Sequence, residues 1–227
     1  MYNNFANLLK GIGDISMYKY IKRVLDFLIA LILIVILSIP MLVIALLIKL
    51  EDKGPALFKQ ERTGKDGKNF KLMKFRSMKI NNDVRDLSKK DELTKVGKII
   101  RKTSLDELPQ LFNILKGEMS FIGPRPWIPE YFEYMDEVQR GRVKVLPGMT
   151  GLAQASGRNG ITIIQKINYD LVYVKNYSLK QDIKIIFKTI YTVLKKESVD
   201  IGKHGIKSEL DTLKEQKNNT TDKLVNA

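Results

Sequence analysis

The sequence has no cysteine and only one histidine, His204, among its 227 residues. Without thiols the chain has no disulfides, thiolate zinc sites or cysteine nucleophiles. A single histidine close to a polar C-terminal stretch leaves histidine triads and histidine metal clusters unavailable. Any chemistry must therefore rest on carboxylates, hydroxyls, lysines, arginines or a metal ion held by oxygen.

Charge is missing from one long stretch, residues 27–48, whose 22 residues include no Asp, Glu, Lys or Arg. That length is sufficient for a membrane segment. A buried core helix is the alternative, but such a run is rare in a small soluble domain. A cleaved signal peptide is disfavoured because the run starts late and no small-residue cleavage pattern follows it. We predict a membrane anchor.

The anchor carries a proline, Pro40, two residues after Ser38. Proline removes a backbone donor and clashes with the preceding turn, so we expect a bend, with the Ser38 hydroxyl bonding a backbone group there. Basic residues flank the run on both sides, which gives the positive-inside rule no direction. A bent helix with both ends on the cytoplasmic side resolves this conflict. The flanking basic residues are Lys19, Lys22, Arg23, Lys49, Lys53 and Lys59.

Acidic residues are fewer than basic ones, 25 against 39, which gives a formal net charge of +14. The excess belongs to the body of the chain and favours anionic partners: lipid headgroups, nucleotide phosphates or nucleic acid. A basic surface that serves only solubility is the alternative. Composition alone leaves both possibilities open.

The remaining pattern predicts an α+β fold that is mainly helical, with a small antiparallel hairpin or sheet. The hairpin lies within residues 51–80 and turns at 65–68. A polar loop over 81–93 precedes helical patterns at 95–101 and after 103. The amphipathic stretch 182–196 is either a core-facing helix or one that lies in the headgroup region. We expect three parts: an anchor (1–50), a catalytic domain (51–204) and a polar, disordered tail (205–227).

The densest group of reactive side chains runs from Arg101 to Gln110 and contains Asp106 and Glu107. Ser104 and Glu107 form a capping-box pattern, so both acids could simply serve a helix start. A carboxylate in a first helical turn is also favoured in its ionised form, and it could attack phosphorus to give an acyl phosphate. The neighbouring acid could help to hold Mg²⁺, and Arg101 could neutralise phosphate charge.

Three further groups could bind phosphate. In residues 123–126 two prolines flank Arg125, which either clamps a phosphate or reaches solvent from a turn. Residues 74–78 place Lys74 and Arg76 around a phenylalanine. Residues 147–158 form a glycine-rich loop with Gln154 and Arg158. None of these groups matches a Walker A or dinucleotide fingerprint.

Over roughly residues 18–200 these motifs resemble the bacterial sugar transferases, the monotopic polyprenyl-phosphate phosphoglycosyl transferases. The chain is similar to their small single-domain type. It departs from the family at the bend, where Ser38 and Pro40 are separated by a residue instead of adjacent. The matching positions are Lys22-Arg23, Asp26, Gly54-Pro55, Phe58, Gln60, Arg62, Gly64, 74–78, 104–111, Asn113, 116–120, 123–126, Arg140, 147–151, Gln154, Gly157-Arg158, Tyr173 and Asp182.

The resemblance implies an activity. Asp106 would attack a UDP-sugar and release UMP, and undecaprenyl phosphate would then take the phosphosugar, which initiates a surface polysaccharide or glycoprotein glycan. Asp106 and Glu107 would share Mg²⁺ at the cytoplasmic face of the inner membrane. The donor is expected to be an acetamido sugar. The residues expected to bind substrate are Arg62, Lys74, Arg76, Arg101, Arg125, Gln154 and Arg158.

Two other functions fit parts of the pattern. A conventional glycosyltransferase with a lipid-linked acceptor would release UDP instead of UMP. A membrane scaffold that binds anionic lipid or nucleic acid would use the charge and the anchor, but it gives no role to Asp106 and Glu107 beside Arg101. We expect membrane lipids, and not nucleic acid, as the partners.

Overall fold

The computed structural model describes residues 2–79, 93–157, 160–195 and 206–225, and the predicted mainly helical α+β class is confirmed. The elements in chain order are α1 (Tyr2–Asp52), β1 (Leu57–Thr63), β2 (Asn69–Phe75), α2 (Lys95–Lys102), α3 (Gln110–Lys116), β3 (Ser120–Ile122), α4 (Pro129–Tyr134), α5 (Glu137–Arg140), β4 (Gly148–Thr150), α6 (Leu152–Gly157), α7 (Ile163–Lys175), α8 (Leu179–Leu194) and α9 (Ile206–Val225).

Helix α1 contains the uncharged run and stays helical through Pro40. The Ser38 hydroxyl donates to the carbonyl of Val35 at 2.7 Å, within the turn that the proline disturbs. Proline frees the carbonyl four residues before it, that of Ile36, so Ser38 bonds the neighbouring carbonyl and not the freed one. Among the described residues, only Met17–Asp52 form a helix long and apolar enough to cross a membrane.

One side of α1 packs on the rest of the protein, and the other side is exposed. Ala30 joins a core with Leu111 and Ile114 of α3, and Ile48 joins a second core with Phe75 and Ile100. The contacting positions recur every three to four residues, as on one face of a helix. They are Ala30, Leu33, Ile34, Leu37, Met41, Ile44 and Ile48. The opposite face includes Ile39 and Leu42, both more than 70 % exposed, and an apolar surface of this extent is typical of membrane contact.

Both ends of the apolar segment are fixed to the same body. At the N-terminal end, Lys22 Nζ lies 2.6 Å from Asp182 Oδ2 of α8, and both side chains are buried. Arg23 donates to two carbonyls at the end of α3. At the C-terminal end, the Glu51 carboxylate accepts hydrogen bonds from the first two backbone amides of α2, with N···O distances of 2.5 and 3.0 Å. The anchor is therefore tied to the body before and after its uncharged stretch.

The predicted hairpin and its turn are confirmed. Strands β1 and β2 pair antiparallel from Leu57↔Phe75 to Thr63↔Asn69. The turn places Asp66 at φ 55° and Gly67 at φ 76°, a left-handed conformation that suits Asp and Gly. A second pair, β3 with β4, is parallel and was not predicted.

The sequence predictions for the helices have mixed outcomes. Helix α2 confirms the pattern at 95–101, and α8 confirms the amphipathic stretch as a helix. The predicted loop lies almost wholly outside the described residues. The prediction of a disordered tail is wrong for residues 206–225, because these residues form α9. Leu210 and Leu213 stand three residues apart on this helix and pack against α4, and that contact stabilises a segment whose composition is otherwise polar.

Candidate active site

Asp106 and Glu107 lie in a single 3-10 turn, Leu105–Glu107, between α2 and α3. Ser104 precedes the turn with φ 57°, and its side chain makes no capping hydrogen bond. The predicted capping box is therefore wrong, because Ser104 in this left-handed conformation does not occupy the extended geometry of a helix N-cap. The acidic pair is not explained as a helix cap.

Glu107 is held by a lysine from the hairpin. Lys74 Nζ of β2 donates to Glu107 Oε1 at 2.7 Å, and both side chains are about one-fifth exposed. Burial pushes the pKa of Glu107 up, but the charges of Lys74 and Arg125 and a hydrogen bond from Gln110 outweigh it, so the pKa is lowered overall. Glu107 is therefore ionised at neutral pH.

Asp106 lies deeper, with only 9 % of its surface exposed. Burial raises its pKa, Lys74 and Arg101 act in the opposite direction, and the charge of Glu107 adds to the rise. This result corrects the expectation that a helix terminus would favour ionisation: burial and the adjacent acid dominate. A buried carboxylate with a perturbed pKa beside cations is a typical candidate for a reactive group.

The charges of two arginines, Arg62 and Arg125, act on each other and on Glu107. Burial, and then the charge of Arg125, lower the pKa of Arg62 to about 10, and the charge of Glu107 opposes that shift. Arg62 Nη2 donates to Gln60 Oε1 at 2.5 Å, while the buried Nε has no protein partner. Two mutually repelling guanidiniums with an unused buried donor favour an anion such as phosphate.

The Arg125 loop is held rigidly by its neighbours. Pro124 and Pro126 are buried while Arg125 between them is exposed. Gly123 donates to the carbonyl of Thr150, and Gly148 donates to that of Pro124, each at 2.9 Å. A Cβ on Gly148 would lie 2.1 Å from the Gly123 nitrogen, so the two chains approach at a distance that only glycine allows. The loop of residues 123–126 and the glycine-rich loop that begins at residue 147 therefore form one structural unit.

Beneath this loop lies Arg142, a residue that sequence analysis missed. Its Nε and Nη2 donate to Asp170 Oδ2 at 2.9 and 2.7 Å, and Nη2 also donates to the carbonyl of Arg125 at 2.7 Å. Arg142 and Asp170 are 2 % and 1 % exposed. Their separation of 28 residues leaves no local signal in the sequence. Arg142 supports the backbone that carries Arg125.

The other predicted site residues are placed as follows. Arg101 Nε donates to Ser77 Oγ at 2.8 Å and its charge acts on Asp106. Gln154 is half-buried beside Gly151, and both polar atoms of its amide are buried without a protein hydrogen-bond partner. Arg76 bonds Asp52 at the end of α1, and no described contact brings it to Asp106. Arg158 lies outside the described residues.

The acidic pair fits part of a magnesium site. Among the described residues there is no group of three or more His, Asp and Glu side chains that could hold a metal. Mg²⁺ commonly uses one or two carboxylates and completes its shell with water and substrate phosphates. Asp106 and Glu107 could contribute to such a site together with water and the oxygens of a bound phosphate.

Comparison with known proteins identifies the relatives of this chain. The family model described as bacterial sugar transferase matches residues 17–196. The chain is 44% identical over 199 residues to a UDP-glucose:undecaprenyl-phosphate glucose-1-phosphate transferase of Klebsiella pneumoniae, an alignment that covers 82% of this chain and 42% of that protein. It is also 44% identical over 203 residues to a UDP-N-acetylgalactosamine-undecaprenyl-phosphate N-acetylgalactosaminephosphotransferase of Aeromonas hydrophila, covering 83% and 47%.

A shorter relative matches over most of its length. An uncharacterized sugar transferase of Bacillus subtilis is 41% identical over 186 residues, covering 81% of this chain and 92% of that protein. The chain spans less than half the length of the Klebsiella and Aeromonas relatives. The family match nevertheless covers the anchor, the hairpin, the acidic turn and both loops of the site. The chain belongs to the bacterial sugar transferase family.

Proposed function

We propose that the protein transfers a sugar 1-phosphate from a UDP-sugar to undecaprenyl phosphate and releases UMP, the first step of a surface polysaccharide or glycoprotein glycan. The observation that carries the proposal is the buried Asp106 in a turn flanked by Lys74 and Arg101. Two relatives that are 44% identical to the chain carry names that specify this type of transfer, and these names support the proposal.

The reaction proceeds in two displacements at one phosphorus atom. A carboxylate oxygen of Asp106 attacks the phosphate that bears the sugar, and the bond to the UMP phosphate breaks so that UMP leaves with the electron pair. A phosphate oxygen of undecaprenyl phosphate then attacks the acyl phosphate. The bond to Asp106 breaks, the carboxylate is regenerated, and a diphosphate-linked lipid forms.

The cations around the acids position the phosphates. Arg125 and Arg62 would bind donor phosphate oxygens, because both guanidiniums lie close to Glu107 and Arg62 has a buried donor without a partner. Lys74 fixes Glu107 and its charge helps to keep Asp106 ionised. Asp106 and Glu107 would hold Mg²⁺, which when bound neutralises charge on the diphosphate.

The anchor would enter the membrane and return on the same side. Its N-terminal end bonds α8 and α3, and its C-terminal end bonds α2, so both ends stay with one charged body. A helix that crossed the bilayer between these contacts would pull charged surface into hydrocarbon, which is strongly unfavourable. We propose a monotopic arrangement on the cytoplasmic face of the inner membrane.

Helix α8 supplies a second membrane contact. Its exposed apolar side chains recur at helical spacing between lysines, as in helices that lie in the headgroup region. Phe187 and Tyr191 are 69% and 61% exposed. The exposed apolar residues are Leu179, Ile183, Ile186, Phe187, Ile190 and Tyr191. This surface would place the acidic turn near the lipid phosphate.

The donor is proposed to be a UDP-linked acetamido sugar. The name of the Aeromonas relative specifies UDP-N-acetylgalactosamine, and the name of the Klebsiella relative specifies UDP-glucose. A panel of UDP-sugars that contains acetamido and plain hexoses therefore discriminates between the candidates.

The experiment presents that panel, with Mg²⁺ and undecaprenyl phosphate, to the full-length protein in liposomes and identifies the nucleotide product. We expect UMP with one or a few donors and no UMP from Asp106→Asn. Asp66→Asn is the matched control, because it makes the same change at an exposed turn position whose φ of 55° suits Asn. Release of UDP would instead indicate a conventional glycosyltransferase.

A further inference from the structure

Helix α9 lies beyond residue 196, where the family match ends, yet it packs closely on the body of the protein. Leu213 is fully buried in a cluster with Trp127, Tyr131 and Ile167. This cluster joins α9 to α4 and α7. An added helix that buries its apolar face against the fold has a fixed position, and its effect depends on what it contacts.

Glu209 of α9 makes the polar contacts. Its Oε2 accepts a hydrogen bond from the Tyr131 hydroxyl, and its Oε1 accepts one from Lys166 Nζ, both at 2.6 Å. Burial and the bonded Glu209 carboxylate raise the pKa of Tyr131, so the phenol remains a donor. Glu209 therefore links α4 to α7 through α9.

The contacts continue from Tyr131 to the phosphate-binding loop. The rings of Tyr131 and Trp127 lie 5.2 Å apart between centroids. Arg142 lies over the Trp127 ring at 3.8 Å, and its Nη2 donates to the carbonyl of Arg125 at 2.7 Å. Trp127 also accepts a hydrogen bond at its carbonyl from Thr63, the residue after Arg62. Both cationic residues of the proposed donor site are thus attached to the cluster that α9 covers.

We propose that α9 is a positioning element for the donor site: Leu213 and Glu209 hold α4 and Trp127 so that Arg142 keeps Arg125 in place. The inference rests on the proposed function, in which Arg125 binds donor phosphate. An arginine on a loop binds phosphate well only when the loop is held in the binding geometry. Release of α9 would loosen that geometry without removing a group that touches the substrate.

The test is a double-mutant cycle on the full-length protein, with UDP as the ligand because every UDP-sugar contains it. Leu213→Asp releases α9, and Arg125→Ala removes the guanidinium. We expect each variant to weaken UDP binding by about tenfold, and the double variant to be little weaker than Arg125→Ala, since both changes remove the same interaction. Leu213→Met, which conserves volume, should restore binding.

Controls separate this effect from general destabilisation. Thr212→Asp adds the same charge at the adjacent, exposed position and should leave UDP binding unchanged. If Leu213→Asp does not fold, the cycle is repeated with Glu209→Gln, and Asp211→Asn on the exposed face of α9 is the matched control. If α9 has a purely structural role, Leu213→Asp should lower the melting temperature. It should then weaken UDP binding by the same factor whether or not Arg125 is present.

The outcomes distinguish the inference from the function on which it rests. Normal UDP binding in Leu213→Asp overturns the role of α9, and additive losses overturn its route through Arg125; either result leaves the transferase proposal intact. An effect of Leu213→Asp with no effect of Arg125→Ala overturns the route through Arg125. Absence of UDP binding by the unmodified protein contradicts the proposed function and removes the inference with it.

Discussion

Lys74 Nζ of the hairpin lies 2.7 Å from Glu107 Oε1 of the acidic turn. The contact joins two segments that are 33 residues apart and places one positive charge where it acts on both carboxylates. Lys74 lowers the pKa of Glu107, and it moderates the rise that burial causes in the pKa of Asp106. The turn therefore holds two acids in different electrostatic environments, as a nucleophile and its partner require.

Replacement of Lys74 by Met should shift the acid limb of the pH–rate profile to higher pH. Asp106 attacks only when ionised, and the Lys74 charge lowers its pKa against the effect of burial. Loss of that charge lets the pKa of Asp106 rise further. As the pH is lowered, UMP release should therefore begin to decrease at a higher pH than in the unmodified protein. The measurement is UMP release against pH at saturating Mg²⁺. Lys71→Met, on an exposed position of the same strand, should leave the limb in place. An unchanged limb in Lys74→Met would contradict the electrostatic role.

Lys22→Met should destabilise the docking of the anchor. The ion pair of Lys22 with Asp182 is buried, and removal of Lys22 leaves the Asp182 charge without its cation, held only by the hydroxyls of Tyr18 and Tyr173, at a cost of about 3 kcal/mol. Thermal unfolding in detergent or nanodiscs reports the loss. Lys19→Met changes an exposed lysine three residues away and should have little effect. Equal melting temperatures for the two variants would show that the pair contributes nothing to stability.

Gly148→Ala should disrupt the Arg125 loop. Its Cβ would lie 2.1 Å from the Gly123 nitrogen, so the β3–β4 contact must open, at a cost of about 2 kcal/mol or more. Binding of UDP should weaken because the loop that carries Arg125 follows Gly123. In Gly160→Ala the nearest atom would lie 3.4 Å from the Cβ, an ordinary contact, and that variant is the control. Normal UDP binding by Gly148→Ala would refute the link between this backbone contact and the donor site.

Single cysteines test the membrane topology, and the absence of native cysteine makes each label unique. Lys19→Cys and Lys53→Cys flank the apolar segment at exposed positions. We expect an impermeant thiol reagent to label both from the cytoplasmic side only. Labelling of the two positions from opposite sides would mean that α1 spans the membrane.

The sequence was informative where the signal is local. The left-handed turn at Asp66 and Gly67 and helix α2 follow from short-range preferences, and both were predicted. The outcome at Ser104 was not, because its left-handed backbone and the Lys74–Glu107 contact override a capping pattern.

Contacts between segments that are distant in the sequence left no comparable local pattern from which they could be predicted. Arg142 and Asp170 pair across 28 residues, and each is an ordinary surface residue by type. Helix α9 was missed for the same reason: its two inward leucines are few, and only the cluster on α4 gives them a partner.

The central claim is that Asp106 carries the phosphosugar between donor and acceptor. The most direct test is to incubate the full-length protein with its UDP-sugar donor and Mg²⁺ in the absence of undecaprenyl phosphate, and to quantify the UMP that is released. The account predicts a burst that approaches one UMP per protein molecule, and none from Asp106→Asn. Normal turnover with both substrates but no UMP from donor alone would contradict it, because the sugar phosphate would then pass directly to the lipid.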